Sequence, residues 1–245
     1  MIGRVCWRFS DVESTQDIAF LLAEQGAAHG TVVRADHQSA GRGRQGRTWE
    51  SVRGTALMFS IILRPELQPH ELGAISILTA DALADAIGKI TSDPIQIKWP
   101  NDVLVNGGKV SGILLQNRVG TKPVVVMGIG VNVSSVPDAP GATCLKAHAA
   151  EPIDNEVLFA GLLSHLDRTW TTFRPEIDDA TNARLESRLW QHGSMVSIID
   201  GEREVQGRIL GLARNGGLRM SVDGTERVVV AGEIVRGPRP IAGRK

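Results

Sequence analysis

Cysteine is scarce in this sequence, and its scarcity excludes two kinds of stabilising centre. Cys6 and Cys144 are the two cysteines among 245 residues, and they stand far apart without a Cys-x-x-Cys pair or an accompanying histidine pattern. Disulfide frameworks and structural zinc sites need more cysteines at characteristic spacings. We therefore expect neither, and we expect the protein to work in the reducing cytoplasm.

An excess of charge of one sign is also missing. The 27 lysines and arginines balance the 27 aspartates and glutamates, so the formal net charge at pH 7 is zero. A protein that coats nucleic acid needs a basic surface. The balance argues against that class of protein, although it leaves room for a local basic site.

Long apolar segments are absent as well. No uncharged apolar run reaches the roughly 18 residues that span a bilayer. The N-terminal stretch MIGRVCWRFSD lacks the apolar region of a signal peptide. We expect a soluble protein that is not exported and has no membrane partner.

Several common catalytic motifs are missing too. The sequence has no G-K-[ST] phosphate loop, no G-x-S-x-G elbow and no H-E-x-x-H zinc motif. Its six histidines are scattered, and we expect them to be surface or structural residues: His29, His37, His70, His148, His165 and His192.

Strand-like and helix-like segments alternate through the first three quarters of the chain. Ser14 with Asp17 three residues later predicts a helix start, and Asn106-Gly107 is the strongest short signal for a β-hairpin. The predicted strands are 30–35, 55–63, 95–99 and 124–133, with a hairpin over 102–116, and the predicted helices are 14–27, 70–90 and two within 155–190 separated at Pro175.

The pattern changes beyond Trp190. Short β-rich runs follow one another, separated by the turn signals Asp200-Gly201, Asn215-Gly216-Gly217 and Asp223-Gly224. This spacing predicts a small all-β barrel of about 50 residues. We place the domain boundary near residue 190, which gives domains 1–190 and 191–245.

The loop GRGRQGRTW, residues 41–49, is the first candidate site. Its glycines have the G-x-G-x-x-G spacing of a dinucleotide-binding turn, but a strand-like run follows where that fold requires a helix. Arg42, Arg44 and Arg47 crowd the loop. Glycine amides together with guanidinium groups suit phosphate or carboxylate. The alternative is a solvated basic loop.

KWPND, residues 98–102, is the second candidate, because it lies at a strand end where ligands of α/β sheets bind. Asn101 and Asp102 could equally form a simple turn after Pro100.

Lys109 is the third candidate: it leads into the apolar run VSGILL, and a desolvated lysine there needs an anionic partner. The alternative for Lys109 is plain exposure beside the turn. Asn132, in an apolar strand, needs a ligand or the backbone to satisfy its amide.

With the arginine-rich loop, KWPND and GGKVSGIL in this order and spacing, the chain resembles the biotin protein ligases, also called biotin-[acetyl-CoA-carboxylase] ligases. The resemblance implies an α+β/α/β fold. Residues 1–190 would form a class II synthetase-like catalytic domain, a mixed β-sheet with flanking helices. Residues 191–245 would form an SH3-like all-β domain.

The resemblance also implies a two-step reaction. Biotin carboxylate attacks the α-phosphate of ATP to give biotinyl-5′-AMP and pyrophosphate, with Mg²⁺ accompanying ATP. A lysine of a biotin carboxyl carrier domain of a carboxylase then attacks the mixed anhydride. Two anions must be brought together, so positioning and charge neutralisation should supply most of the rate gain.

Site residues follow from matching positions in this family. Lys109 and Arg44 resemble the catalytic residues of the family. The resemblance does not assign the residues that bind a metal. The biotin side comprises Ser14, Thr15, Gln16, Gln38, Gly41, Arg42, Gly43, Arg44, Lys109 and Gly112. The nucleotide side comprises Arg44, Arg47, Trp49, Lys98, Asn101, Asp102 and Asn132.

Two departures and two alternatives accompany this hypothesis. Gln16 stands where many relatives have asparagine, and the matching region begins within the first 15 residues, so we expect neither a winged-helix domain nor DNA binding and repression. A lipoate ligase is the close alternative, and a non-catalytic nucleic-acid-binding module is the distant one. The oligomeric state, monomer or weak dimer, is left open.

Overall fold

Seven strands of the described residues pair into one mixed β-sheet. The structure is a computed structural model, and it describes residues 1–65, 72–118, 124–136, 139–200 and 203–235. The strands are β1 (Cys6–Val12), β2 (Val32–Gln38), β3 (Ala56–Leu63), β4 (Ile95–Lys98), β5 (Asp102–Val105), β6 (Gly108–Arg118) and β7 (Val124–Asn132). The sheet has the order β1-β2-β3-β7-β6-β5-β4. Strand β1 runs parallel to β2, and the pairs β2/β3, β3/β7, β7/β6 and β6/β5 are antiparallel.

The centre of this sheet is buried on both faces. Every residue of β3 and β7 is buried, which explains why these strands read as continuous apolar runs instead of alternating ones. Ala19 and Phe20 of the first helix join a buried cluster with Val33 of β2 and Val126 of β7. The buried strands therefore hold the loops that connect them in fixed positions.

Within the described residues, four α-helices accompany the strands: α1 (Thr15–Glu24), α2 (Leu72–Ile87), α3 (Asn155–Thr171) and α4 (Asp179–Arg188). The Ser14 side chain caps α1 by accepting a hydrogen bond from the Gln16 N–H at 3.3 Å, as predicted. The predicted start of α2 at residues 70–71 lies outside the described residues. Of the helices within the described ranges, none combines the length and the apolarity needed to cross a bilayer.

The hairpin between β5 and β6 confirms the Asn106-Gly107 prediction. Val105 pairs with Gly108, and the two intervening residues have φ values of 49° and 77°. Positive φ at both central positions is the type I′ turn that asparagine and glycine adopt readily. The turn therefore places Lys109 at the second position of β6.

The described residues divide into two compact units. Within the described ranges, the first draws on residues 1–65, 78–96, 101–118, 124–136 and 139–173, and the second on residues 72–77, 97–100, 174–200 and 203–235. The second contains the strands β8 (Met195–Asp200), β9 (Arg203–Leu212), β10 (Leu218–Val222), β11 (Thr225–Val229) and β12 (Glu233–Val235). They form an antiparallel sheet of order β11-β10-β9-β8-β12, which confirms an all-β tail. The boundary near residue 190 and the SH3-like type stay predictions.

A buried arginine anchors the start of α3 to the sheet. Arg34 of β2 is 5% exposed, and its Nη1 donates to Glu156 Oε2 at 2.8 Å. Its guanidinium also lies 4.6 Å from the centroid of the Phe159 ring. Arg8 of β1 donates to the other oxygen of Glu156 at 3.2 Å. The hydrogen bond from Arg34 lowers the pKa of Glu156 below its ordinary value.

Replacing Glu156 with glutamine should make the stability less dependent on pH. The lowered pKa means that the stabilisation by the carboxylate is complete above the unfolded-state pKa and is lost as the pH falls through the lower folded-state pKa. The difference in unfolding free energy between parent and Glu156→Gln should therefore shrink from about pH 6 to about pH 3 in urea titrations. The exposed Glu151 provides the control Glu151→Gln. A difference that stays constant with pH would contradict this account.

Candidate active site

Two paired glycines leave room for an indole ring on the sheet. Gly112 of β6 lies opposite Gly130 of β7. A Cβ atom built on Gly130 would lie 2.4 Å from Trp49 Cε2, and one on Gly112 would lie 3.2 Å from Trp49 Cζ3. The Trp49 ring therefore rests directly on the two glycine backbones, a surface called here the glycine floor. The buried Trp49 Nε1 has no hydrogen-bond partner among the described residues.

Polar side chains from the start of α1 lie beside this floor. Thr15 donates to Gln38 Oε1 through its backbone N–H at 2.8 Å and its hydroxyl at 3.0 Å. The Ser60 hydroxyl lies 2.8 Å from the Thr15 hydroxyl. The structure thus joins two predicted biotin-side residues, Thr15 and Gln38, and a third, Ser14, lies next to Thr15 as the cap of α1.

Gln16, the next residue of α1, adds a buried amide to these polar groups. The side chain belongs to a residue that is 3% exposed, and its Nε2 donates to the Leu114 carbonyl at 3.2 Å. A Cβ on Gly128 would lie 3.1 Å from its Cδ. Within the described part of the chain, Gln16 Oε1 is buried and accepts no hydrogen bond. An acceptor left open in this way is a position where a ligand donor fits.

The arginine-rich loop closes on itself through its backbone. Trp49 N–H donates to the Gly41 carbonyl at 3.0 Å, and Gly43 N–H donates to the Arg47 carbonyl at 2.7 Å. Gln45 takes the left-handed conformation at φ 55°. A Cβ on Gly41 would lie 2.3 Å from the Trp49 carbonyl oxygen, so glycine is required for this close approach. A short 3₁₀ turn at Arg44–Gly46 replaces the helix that a dinucleotide-binding turn needs.

The three loop arginines reach different partners. Arg42 Nη2 donates to Asp17 Oδ2 at 2.7 Å, and Arg47 Nη2 donates to Gln45 Oε1 at 3.1 Å. Arg44 Nη1 donates to Asn101 Oδ1 at 3.1 Å. Arg44 therefore connects the loop to the KWPND segment.

Asn101 also connects that segment to β6. Its Nδ2 donates to the Ile113 carbonyl at 2.8 Å, and its own carbonyl accepts from the Ile113 N–H at 3.0 Å. The residue is therefore held on both its backbone and its side chain. These two hydrogen bonds hold the Asn101 side chain in the position where its Oδ1 accepts from Arg44.

Lys109 carries the cation nearest the glycine floor. Its Nζ lies 2.8 Å from Asp102 Oδ1 and 5.9 Å from the centroid of the Trp49 ring. A Cβ on Gly112 would lie 3.2 Å from the same Nζ. The Lys109 side chain is 36% exposed, so it is half-buried and has the anionic partner expected from the sequence. The structure thus brings Arg44, Asn101, Asp102, Lys109 and Trp49 together.

Two other predicted nucleotide-side residues have separate surroundings. Asn132, at the end of β7, is 4% exposed and donates from Nδ2 to the Thr143 carbonyl at 3.1 Å, so the backbone satisfies its amide. Lys98 belongs to the second unit, where its Nζ lies 5.3 Å from the centroid of the Trp190 ring. Its nucleotide role stays a prediction.

Sequence reasoning missed two residues that contact this set. Ser60 contacts Thr15, and Thr143 contacts Asn132. Ser60 had a usable signal, because it is the one hydroxyl inside the apolar run ALMFSIIL. Thr143 had none, since its contacts come from segments distant in sequence.

Comparisons with known proteins agree on one family. Residues 9–133 match the biotin/lipoate A/B protein ligase family. The biotin-[acetyl-CoA-carboxylase] ligase of Mycobacterium tuberculosis is 31% identical over 244 residues, covering 94% of this chain and 89% of that protein. The bifunctional ligase/repressor BirA of Bacillus subtilis is 39% identical over 163 residues, covering 63% of this chain and 49% of that protein. The chain therefore matches about half the length of the Bacillus relatives.

A solved structure is similar over nearly the whole chain. The biotin protein ligase of Aquifex aeolicus, in complex with biotin and ATP, superposes with a TM-score of 0.81 at 27% identity. The match covers 95% of this chain and 98% of that one. The similarity therefore includes both the sheet and the all-β tail.

Replacing Gly130 with alanine should displace the Trp49 ring. The new methyl group would overlap the indole at 2.4 Å, and overpacking of this kind destabilises by about 1–3 kcal/mol. Gly161→Ala is the matched control, because nothing lies within 4 Å of that Cβ position in α3 and it should stabilise by up to about 1 kcal/mol. Urea unfolding gives the energies, and fluorine NMR of fluorotryptophan-labelled protein reports the ring. An unchanged Trp49 resonance in Gly130→Ala would contradict the stacking.

Proposed function

The chain belongs to the biotin/lipoate A/B protein ligase family, and from this we propose that it is a biotin protein ligase. It activates biotin with ATP and transfers the biotinyl group to a lysine of a biotin carboxyl carrier domain. The Paracoccus denitrificans biotin-[acetyl-CoA-carboxylase] ligase, 33% identical over 92% of this chain and 98% of that protein, supports the same assignment. The single observation that carries it is the meeting of Arg44 and Lys109 at Asn101 and Asp102 beside the glycine floor.

The floor and its open polar groups suit the ring system of biotin. Biotin has an apolar bicycle with a ureido group that both donates and accepts hydrogen bonds. Gln16 Oε1 is a buried acceptor and Trp49 Nε1 a buried donor, both without partners in the described structure. A buried polar group left unsatisfied costs about 1–3 kcal/mol. A ureido group can supply both missing partners and recover this energy.

The cations suit the first chemical step. An oxygen of the biotin carboxylate attacks the α-phosphorus of ATP, the bond to the β-phosphate oxygen breaks, and pyrophosphate leaves. Both reactants are anions, so the step needs fixed positive charge where negative charge concentrates. Lys109 bridges the carboxylate and the α-phosphate in this proposal, and it leaves its ion pair with Asp102 to do so. Arg44 binds the nucleotide phosphate from the opposite side.

The second step transfers the biotinyl group. The neutral ε-amine of the carrier lysine attacks the carbonyl carbon of the mixed anhydride, the bond to the AMP oxygen breaks, and the nitrogen loses a proton as the amide forms. Until then the anhydride must be kept from water. The arginine-rich loop contacts the glycine floor through Trp49 and Asn101 through Arg44. We propose that this loop covers the adenylate.

Magnesium enters this proposal with ATP, because phosphate oxygens are the hard ligands it prefers. No group of three or more histidine, cysteine, aspartate and glutamate side chains suited to a metal occurs within the residues that the structure describes. Cytoplasmic location, absence of DNA binding and a monomeric or weakly dimeric state all stay predictions.

Carrier labelling tests the function directly. The protein is incubated with ATP, Mg²⁺, labelled biotin and an apo carrier domain, and the label should appear on the carrier lysine. Omitting ATP, or replacing the carrier lysine with arginine, should abolish it. Labelled lipoate should give no transfer, because the Mycobacterium and Paracoccus relatives are biotin ligases and the Aquifex complex contains biotin. Absence of label with biotin, or equal label with lipoate, would overturn the assignment.

Replacing Lys109 with alanine should suppress adenylate formation much more than stability. Loss of a charge that stabilises the transition state lowers the rate about 100-fold or more. The change also leaves the Asp102 carboxylate, whose side chain is 16% exposed, without its cation, which should cost about 1–3 kcal/mol of stability. Pyrophosphate release with biotin and ATP measures the first quantity, and urea unfolding the second. Lys89→Ala, at an exposed lysine of the same unit, should match the parent, and a parental rate in Lys109→Ala would remove the role assigned to Lys109.

A further inference from the structure

The backbone of Lys109 is held by the segment 139–148. The Lys109 N–H donates to the Gly141 carbonyl at 2.8 Å, and the Lys109 carbonyl accepts from the Thr143 N–H at 2.9 Å. Lys109 also forms an isolated parallel bridge with Ala142. The position of the lysine therefore depends on how firmly this segment is fixed.

Within this segment, Thr143 contacts both Lys109 and Asn132. Its N–H bonds Lys109 and its carbonyl accepts from Asn132 Nδ2 at 3.1 Å. A Cβ on Gly108 would lie 2.7 Å from the Thr143 Cγ2 methyl, so the threonine also packs on the turn that precedes Lys109. Thr143 therefore contacts the backbone of Lys109 and the side-chain amide of Asn132, two residues of the proposed active site.

A histidine and an aspartate fix the Thr143 side chain. His148 Nε2 lies 3.0 Å from the Thr143 hydroxyl, and His148 Nδ1 lies 2.6 Å from Asp93 Oδ2. A carboxylate can only accept, so Nδ1 donates to Asp93, and Nε2 hydrogen-bonds the threonine hydroxyl. The His148 side chain is 12% exposed, so water competes little for these bonds.

Asp93 is itself tied to the sheet. Its N–H donates to the Thr91 hydroxyl at 3.0 Å, and the next residue, Pro94, accepts at its carbonyl from the Asn106 N–H at 2.9 Å. The chain of contacts therefore runs from the turn before β4 through His148 to Thr143. It ends at the two hydrogen bonds that Thr143 makes with Lys109 and Asn132.

We propose that Asp93, His148 and Thr143 form a positioning relay that holds Lys109 and Asn132 in place for adenylate formation. The relay rests on the proposed ligase function. None of its three residues touches a substrate in this proposal, and each acts through the backbone of Lys109 or the amide of Asn132. A displaced lysine would no longer reach both the carboxylate and the α-phosphate, and small displacements of catalytic groups cost large factors in rate.

Paired threonine variants separate the hydroxyl from the packing. Thr143→Val keeps the methyl against Gly108 and removes the hydroxyl, whereas Thr143→Ser does the reverse. The relay predicts that Thr143→Val and His148→Phe lower the rate of adenylate formation about 10-fold to 100-fold, while Thr143→Ser stays within about threefold of the parent. If packing alone mattered, Thr143→Ser would be the slower variant, and that result would overturn the relay. Thr79→Val, which loses a buried hydroxyl bond to Met127 Sδ, is the control.

A second background tests whether the effect passes through Lys109 and Asn132. In protein that carries both Lys109→Ala and Asn132→Ala, the added Thr143→Val change should lower the remaining rate by about threefold or less, because coupled sites are not additive. Equal factors in both backgrounds would show a general structural effect and overturn the relay.

Amide hydrogen exchange gives a readout that does not depend on activity. In Thr143→Val the N–H groups of Lys109 and Thr143 should exchange faster than in the parent, with β3 unchanged. Unchanged exchange at Lys109 would overturn the relay. A parent protein that makes no adenylate would refute the ligase function, and the exchange rates would then decide on the relay by themselves.

Discussion

The close approach of an indole ring to two glycine backbones is the constraint on which the site depends. Gly112 and Gly130 face each other across β6 and β7, and Trp49 lies on them. A Cβ on Gly130 would overlap its ring at 2.4 Å, and one on Gly112 would crowd it at 3.2 Å. Trp49 is the last residue of the arginine-rich loop, so the position of its ring fixes one end of that loop on the sheet. Arg44 and Lys109 can then converge on neighbouring residues, Asn101 and Asp102.

The strength of this arrangement comes from the sheet and not from the loop. Strands β3 and β7 are buried throughout, and the polar groups around the floor are tied to strand backbones, as Asn101 is to Ile113 and Gln16 to Leu114. Fixed dipoles and charges need little rearrangement when charge develops in a reaction. Two buried polar atoms, Gln16 Oε1 and Trp49 Nε1, keep no partner in the described residues, and this is where a polar ligand gains most.

Local signals in the sequence predicted local structure well. The Ser14 cap and the Asn106-Gly107 turn depend on neighbouring residues, and both form as expected. Strand β1 was not predicted, because its burial pattern leaves most of its residues exposed and gives no alternation. The grouping of Arg44, Asp102 and Lys109 was predicted through family resemblance. The seat of Trp49 could not be predicted, since it depends on the register that sets Gly112 opposite Gly130.

The most direct test of the central claim is a crystal structure of the protein with biotin and a non-hydrolysable ATP analogue. The account predicts the biotin ring system beside the glycine floor, with its carboxylate and the α-phosphate both within hydrogen-bond reach of Lys109 Nζ and with Arg44 on the phosphate. Biotin bound away from Gly112 and Gly130, or Lys109 still paired with Asp102 and remote from both anions, would contradict it.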